Sequence, residues 1–399
     1  MQALQNLQKG SFRFPTKIRF GVKEAENISM VLRENGKARP LFVTDAGLAA
    51  TDLFQKIVRD AEKSGLKVSV YSDARGNPVK GHVDAGVSAF KAHQADSLVI
   101  VGGGCALDVG KAIALMAYHP GDLFQYEDDM PGALPVDQEI PFMLALPTTA
   151  GTGSEVGASS VISDDHTHAK KIIYSPRLTP HEVIADPELT VGLPVHITAA
   201  TGMDALTHNI EAYLAKNYHP MCDGIALEGI RLVFKYLHRA VETPNDLEAR
   251  GGMLMASMMG AVAFQKGLGV THSCAHALST CYDTHHGLAN ALMLDACLRF
   301  NLEVVPDRFA TMAKVVGSME TFLEAGRSTE KELGLVFIKN IRDLKRSLEI
   351  PTNLAVICSQ VTDNLLDVAV SDSCHLNNPR PCSREDFHSL FLEAIKGDE

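Results

Sequence analysis

Between Ile197 and His286, one aspartate and several histidines stand at spacings that a helix turns toward one point. In ITAATGMDALTHNIEAYLAK, Asp204 and His208 are four positions apart within an Ala/Leu/Ile-rich run, so a helix stacks both on one face, a turn apart. In GLGVTHSCAHALSTCYDTHHG, His272 and His276 repeat that spacing, and His285 and His286 follow directly ahead of Gly287. Neutral imidazoles with one carboxylate make a borderline-to-hard donor set, suited to Zn²⁺ or Fe²⁺ rather than Ca²⁺ or Cu(I). A lone histidine is more readily a core or cap residue than a ligand, but two such pairs in one helix-rich region argue for a metal. Spacing does not choose between His285 and His286.

The elements that must position this cluster differ between the two halves of the chain. In the first half, TKIRFG, RPLFVTD, KVSVYSD and DSLVIVGGG read as short strands, separated by helical stretches such as LAATDLFQKIVRDAEKSG and GHVDAGVSAFKAHQA. Strand and helix in alternation predict parallel βαβ units and a Rossmann-like sheet. The turn Gly102-Gly103-Gly104-Cys105 follows an apolar strand and opens a helix, where backbone N–H groups can cradle a phosphate. Its spacing is not the common G-x-G-x-x-G. Asp45 closes an earlier strand, where a carboxylate accepts hydrogen bonds from an adenosine ribose and disfavours a 2′-phosphate; it also suits a helix N-cap. LPTTAGTGSEV, with Thr148 and Thr149, is a loop rich in small and hydroxyl residues that can wrap a polar ligand.

In the second half, the apolar spacing is helical almost to the end, after a boundary at Leu189 to Pro194. The division is therefore 1–190, an α/β dinucleotide-binding domain, and 191–399, an all-helical domain carrying the metal cluster. Met253, Met255, Met258 and Met259 read as helix-packing filler, and His166, His168, His181 and His196 as surface residues.

At 399 residues, two domains are expected. A net charge of −11 argues against a nucleic-acid or anionic-membrane partner and leaves a small diffusible substrate as the natural one. The eight cysteines are scattered with no Cys-x-x-Cys pair, which suits a reducing compartment. The first residues, MQALQNLQKGSFRF, show no secretory pattern, and no segment offers an apolar run of membrane length, so the expected location is the cytoplasm.

Taken together, the motifs resemble the iron-dependent (group III) alcohol dehydrogenases over almost the whole chain. GGGCALDVGK is similar to that family's Gly-Gly-Gly-Ser-x-x-Asp-x-Ala-Lys, LPTTAGTGSEV to its nicotinamide-side loop, and TAATGMDALTHNIEAY to its signature; GLGVTHSCAHAL, HHG and NNPRPCSREDF follow in the family's order. The resemblance implies the dehydroquinate synthase-like fold of iron-containing alcohol dehydrogenases, with the active site in a cleft between an α/β and an all-helical domain, and a homodimer or larger assembly. It implies Asp204, His208, His272 and His286 as metal ligands and His276 as a proton relay or substrate contact. For NAD it implies Asp45, Asn77, Gly103, Gly104, Cys105, Asp108, Thr148, Thr149 and Lys171, with Lys170 as a competitor for the last. Cys105 stands where the family has Ser, Gly110 where it has Ala, and Ala277 where Pro is common. Lys266, in FQKGLG, is either a substrate-side cation for an anionic end or a solvated surface lysine.

The implied activity is NAD-dependent interconversion of a small primary alcohol, diol or hydroxy acid with its aldehyde or ketone, on Fe²⁺ or Zn²⁺. Glycerol- or sugar-phosphate-type dehydrogenases of the same superfamily are one alternative, although they usually resemble a three-ligand set. A metallohydrolase, in which the glycine turn is only a turn, is another.

Overall fold

The computed structural model describes residues 12–14, 16–128, 130–167, 169–317 and 328–397. Residues 1–11 of the stretch read for a targeting signal, His168, and residues 321–327 of the helix expected over 321–348 lie outside the described residues. Two compact units emerge: Pro15–Leu193 with Asn245–Leu254, and Pro194–Pro244 with Met255–Glu399 and the described residues ahead of Pro15.

The first unit is built on a six-stranded sheet of β1 (Lys17–Phe20), β2 (Pro40–Asp45), β3 (Ser69–Ala74), β4 (Ser97–Gly102), β5 (Phe142–Pro147) and β8 (Glu182–Ala185). Its order is β1-β8-β5-β4-β2-β3, and every pairing is parallel. β4 and β5 are buried along their whole length, which is why they read as continuous apolar runs rather than alternating ones. Helices α1 (Ile28–Glu34), α2 (Ala46–Ala49), α3 (Asp52–Lys63), α4 (Lys80–His93) and α5 (Gly104–Tyr118) connect the first strands. Phe54, Ile57 and Ala61 of α3 pack with Phe42, Val99 and Val101 of the sheet in one apolar cluster; each large side chain so buried contributes about 1.5–3 kcal/mol. β3 lies on one side of β2 and β4 on the other, so the strand order reverses there. In open parallel sheets the C-terminal edge at such a reversal is where ligands bind; here that edge carries Asp45 and Gly102.

The strands expected in the first half form as read. A two-stranded antiparallel ribbon, β6 (Ser159–Ser163) with β7 (Lys170–Tyr174), was not anticipated. Its base joins the turn after β3, where Ser163 N–H donates to Pro78 O at 2.7 Å.

In the second unit, all regular structure among the described residues is helical: α6 (Val195–Leu214), α7 (Pro220–Glu242), α8 (Leu247–Ala263, which also contributes to the first unit), α9 (Val270–Tyr282), α10 (His286–Leu302), α11 (Pro306–Val316), α12 (Glu330–Ser347), α13 (Asp363–Ser371) and α14 (Arg384–Lys396). Pro194 stands immediately ahead of α6, as expected. From Thr198 to Leu214 this helix is buried on all sides, and Asp204, His208 and Glu211 form a polar stripe along it. The start of α12 is fixed by a capping box: Glu332 N–H donates to Thr329 Oγ1 at 3.2 Å, and Thr329 N–H to Glu332 Oε2 at 2.7 Å. No single helix among the described residues is long and apolar enough to cross a membrane.

Candidate functional site

In the helical unit, Asp204 and His208 project from α6, His272 and His276 from α9, and His286 is the first residue of α10. Asp204, His208, His272 and His286 each offer one donor atom, all within 4.8 Å of one another. Asp204 Oδ1 lies 3.9 Å from His208 Nε2, 3.9 Å from His272 Nε2 and 3.4 Å from His286 Nε2. Four donors about 2.1 Å from a tetrahedral ion stand about 3.4 Å apart, so the set needs only a small contraction to hold one. His285 occupies the N-cap position just ahead of α10, makes no side-chain cap bond, and is not in the group. Gly287 is what lets α10 come this close: a Cβ there would lie 2.3 Å from Ala200 O of α6.

Two residues outside the expected set shape it. Glu211, one turn beyond His208 and buried, accepts from Gly269 N–H (3.0 Å) and Thr271 N–H (2.6 Å) at the start of α9, and from His272 Nδ1 (2.6 Å). A carboxylate held by so many donors can only accept, so Nδ1 carries the proton and Nε2 turns its lone pair to the ligand set. Burial opposes the charge on Glu211, yet His272 and Thr271 hold its pKa below the ordinary glutamate range. The second residue is Asn290, on α10 and fully buried. Its Nδ2 donates to Asp204 Oδ1 at 2.7 Å and sits 3.2 Å from His286 Nε2 and 3.4 Å from His272 Nε2, while its Oδ1 meets no partner among the described residues. Three acceptor atoms thus converge where a cation fits. Asn290→Leu removes the donor that orients Asp204, and metal affinity should fall about 10- to 100-fold; isothermal titration with Zn²⁺ reads this, and an unchanged Kd would refute it.

His276 donates from Nδ1 to Asp372 Oδ2 at 2.7 Å, and its ring stacks on that of His286 with centroids 5.2 Å apart. Lys266 has neither expected role. A 3₁₀ turn at Phe264–Lys266 breaks the helical path toward His272, and the lysine is buried with its ammonium on Tyr213 O (2.8 Å) and the Asp223 carboxylate. The short turn redirects the side chain, and burial depresses its pKa against the pull of Asp223.

In the α/β unit, Asp45, the Gly103-Gly104-Cys105 turn, Thr148 and Thr149 stand at or just beyond the C-terminal ends of β2, β4 and β5. Gly102 has φ 156°, and a Cβ there would lie 2.6 Å from that of Ala106, so only glycine fits. Gly103 and Gly104 bring the turn against the threonine loop, their would-be Cβ atoms 3.0 Å from Thr149 Cγ2 and 2.8 Å from Thr152 Cγ2. Thr148 N–H donates to Gly102 O at 3.0 Å. The first turn of α5 presents N–H groups that the helix itself leaves unsatisfied, a fit for a pyrophosphate. Asp45 caps α2, Oδ1 accepting from Leu48 N–H at 2.9 Å, so the cap role is real. Asn77 is exposed in the turn after β3. The Cys105 thiol is pushed up to about 12 by burial and by Asp108 and Asp45, which leaves it protonated.

Asp108 faces into the fold. Its carboxylate accepts from Ser154 Oγ (2.7 Å) and Val161 N–H (3.2 Å), tying α5 to the loop and to β6 rather than standing open to a cofactor. Lys111, fully buried one turn later, adds bonds to Ser154 Oγ and Ser159 O, both at 2.8 Å. Lys171 pairs with Glu127 at 2.6 Å on the ribbon. Thr152, in the same loop, packs against Gly104. Glu211 was legible as the next position on the Asp204/His208 face, and Asn290 as one turn beyond His286. Nothing local marked Asp372.

Comparison with known proteins agrees with this arrangement. Residues 15–187 match the family described as iron-containing alcohol dehydrogenase, and residues 198–395 match the C-terminal part of the same family. The chain belongs to the iron-containing alcohol dehydrogenases. Among relatives in this family, a 4-hydroxybutyrate dehydrogenase of Cupriavidus necator is 35% identical over 371 residues, covering 90% of this chain and 93% of the relative. An NAD-dependent methanol dehydrogenase of Bacillus methanolicus is 33% identical over 388 residues, 96% of this chain and all of that one. A crystal structure of 1,3-propanediol oxidoreductase superposes with a TM-score of 0.90 at 33% identity, covering 97% of this chain and 100% of its own. As an iron-containing alcohol dehydrogenase the chain is an oxidoreductase acting on CH–OH, and the metallohydrolase alternative falls.

Proposed function

We propose that this protein is an NAD-dependent, metal-dependent dehydrogenase that interconverts a small primary alcohol with its aldehyde by hydride transfer, a diol or hydroxy acid being within the same reading. The convergence of Asp204, His208, His272 and His286 on one point, in a family named for its iron, carries it. These four residues would hold Fe²⁺, with Zn²⁺ also accepted by such a donor set. When bound, the cation supplies Lewis acidity that lowers the pKa of the substrate hydroxyl or polarises the carbonyl. Glu211 holds the proton of His272 on Nδ1 and so aims Nε2 at the ligand set, and Asn290 orients Asp204. His276, with Nδ1 committed to Asp372, has Nε2 left to take the alcohol proton and pass it on.

For the cofactor, the residues of the sheet edge divide the work. Gly103, Gly104 and Cys105 present backbone N–H groups to the pyrophosphate, Asp45 accepts from the adenosine ribose, and Thr148 and Thr149 line the nicotinamide side. Asn77 and Lys171 complete the set, and Asp108 supports it from within the fold. Productive transfer needs the nicotinamide held within about 3–3.5 Å of the carbinol carbon. Further parts of the proposal are a cytoplasmic location, supported by eight cysteines that are all free thiols, and a homodimer or larger assembly, supported by the edge strand β1 with exposed Ile18 and Phe20.

The test uses protein purified without oxygen and analysed for metal. NADH addition should shift the coenzyme's fluorescence, and short-chain alcohols, diols and hydroxy acids should be screened for NAD⁺ reduction in the Fe²⁺- and Zn²⁺-loaded protein. No NADH binding, or turnover equal with and without metal, would end the proposal.

A further inference from the structure

The carboxylate of Asp372, on the segment that follows α13, has no assigned role, yet it sits at the centre of a closed set of hydrogen bonds around His276. Oδ2 receives the proton of His276 Nδ1 at 2.7 Å. Oδ1 receives Ser273 Oγ–H at 2.7 Å and Cys374 N–H at 2.9 Å, and Ser273 Oγ in turn accepts from His375 N–H at 2.9 Å. Both oxygens are therefore committed, and neither can exchange roles without breaking three bonds. Burial works against the charge on Asp372, but the attraction and hydrogen bond of His276, with those of Ser273 and Cys374, hold it well below the usual carboxylate range. On its other side the His276 ring stacks on His286 at an interplanar angle of 20°. The imidazole is thus pinned in plane and in tautomer, and it retains 24% exposure at the side chain, enough to hand a proton to water.

We propose that Asp372 is the positioning residue of His276, fixing the Nδ1–H tautomer so that Nε2 is always the nitrogen that accepts the alcohol proton. This rests on the reading of His276 as the relay. An imidazole that moves a proton must offer a lone pair at the reacting end, and the partner of its other nitrogen decides whether it does. Asp372→Asn makes the distinction sharp because it is isosteric. With its Oδ1 retained by Ser273 and Cys374, the new amide must present N–H to His276 Nδ1, which drives the ring proton onto Nε2 and removes the acceptor.

The experiment compares wild type, Asp372→Asn, Asp372→Glu and His276→Ala as full-length, Zn²⁺-loaded protein, each checked for metal content and melting. In Asp372→Asn, kcat for alcohol oxidation should fall about 100-fold or more while KM for the alcohol and Kd for NADH stay within about twofold, and Asp372→Glu should recover part of the loss. Selective ¹⁵N-histidine NMR should show His276 protonated at Nδ1 in the wild type and at Nε2 in the Asn variant. Retention of kcat within about threefold in Asp372→Asn, alongside a large loss in His276→Ala, overturns the proposal and leaves the relay standing. Unchanged kcat in His276→Ala overturns the relay itself. Should the Asn variant not fold, the wild-type spectrum alone decides: a proton on Nε2 refutes the assignment.

Discussion

His272→Ala should yield protein that retains less than a tenth of the wild-type metal and loses about 1,000-fold or more in turnover, the two losses occurring together. His272 is buried at the start of α9, with Nδ1 on Glu211 and Nε2 at 3.9 Å from Asp204 Oδ1. Its removal takes one of four donors and also strips Glu211 of its imidazole partner, leaving that buried carboxylate with the donors of Gly269 and Thr271. Loss of Lewis-acid stabilisation worth about 4 kcal/mol corresponds to about three orders of magnitude in rate. Elemental analysis with NADH formation followed on the same preparation provides the measurement. His285→Ala is the control: His285 stands at the N-cap position of α10 with no side-chain cap bond and outside the donor group, so metal and turnover should both persist. An active, metal-free His272→Ala protein would sink the ligand assignment, and loss of metal in His285→Ala alone would move it by one residue.

How legible this site was depended on the distance over which each contact forms. Asp204 with His208, and His272 with His276, are helical neighbours, so periodicity alone predicted that each pair shares a face. Bringing the pairs together requires α6, α9 and α10 to pack, and what permits that packing at its tightest point is Gly287, which in sequence is only a glycine after two histidines. Asp372 is 96 positions from His276; no spacing rule reaches that far. Lys266 went wrong for a related reason: its expected direction assumed a continuous helical path, and a single 3₁₀ turn with Gly267 at φ 126° was enough to bury it beside Asp223. In the α/β unit, strand runs and the glycine turn were legible because a parallel sheet covered on both faces demands uninterrupted apolar runs. At Asp108 the motif records that a carboxylate is needed without saying for what, and its bonds go to Ser154 and Val161.

Asp45→Ser should raise the preference for NADP⁺ relative to NAD⁺, as the ratio of kcat/KM values, by about 100-fold, with little change in melting temperature. Asp45 does two jobs at the end of β2, and the substitution separates them. As the N-cap of α2 it accepts from Leu48 N–H at 2.9 Å, and serine is an equally good cap, so the turn survives. As a carboxylate at the edge where the strand order reverses, it would place a negative charge beside the adenosine ribose. At about 4 Å a like charge on a 2′-phosphate costs about 4 kcal/mol at an effective dielectric constant near 20, and salt and partial exposure reduce that to the equivalent of about 100-fold. The serine hydroxyl can still meet a ribose hydroxyl, so NAD⁺ should lose only about tenfold. Kinetics with both coenzymes, beside a thermal melt, separate the outcomes. An unchanged coenzyme ratio in a variant that melts like wild type would show that Asp45 is only a helix cap, and would move the ribose contact to another residue of the sheet edge.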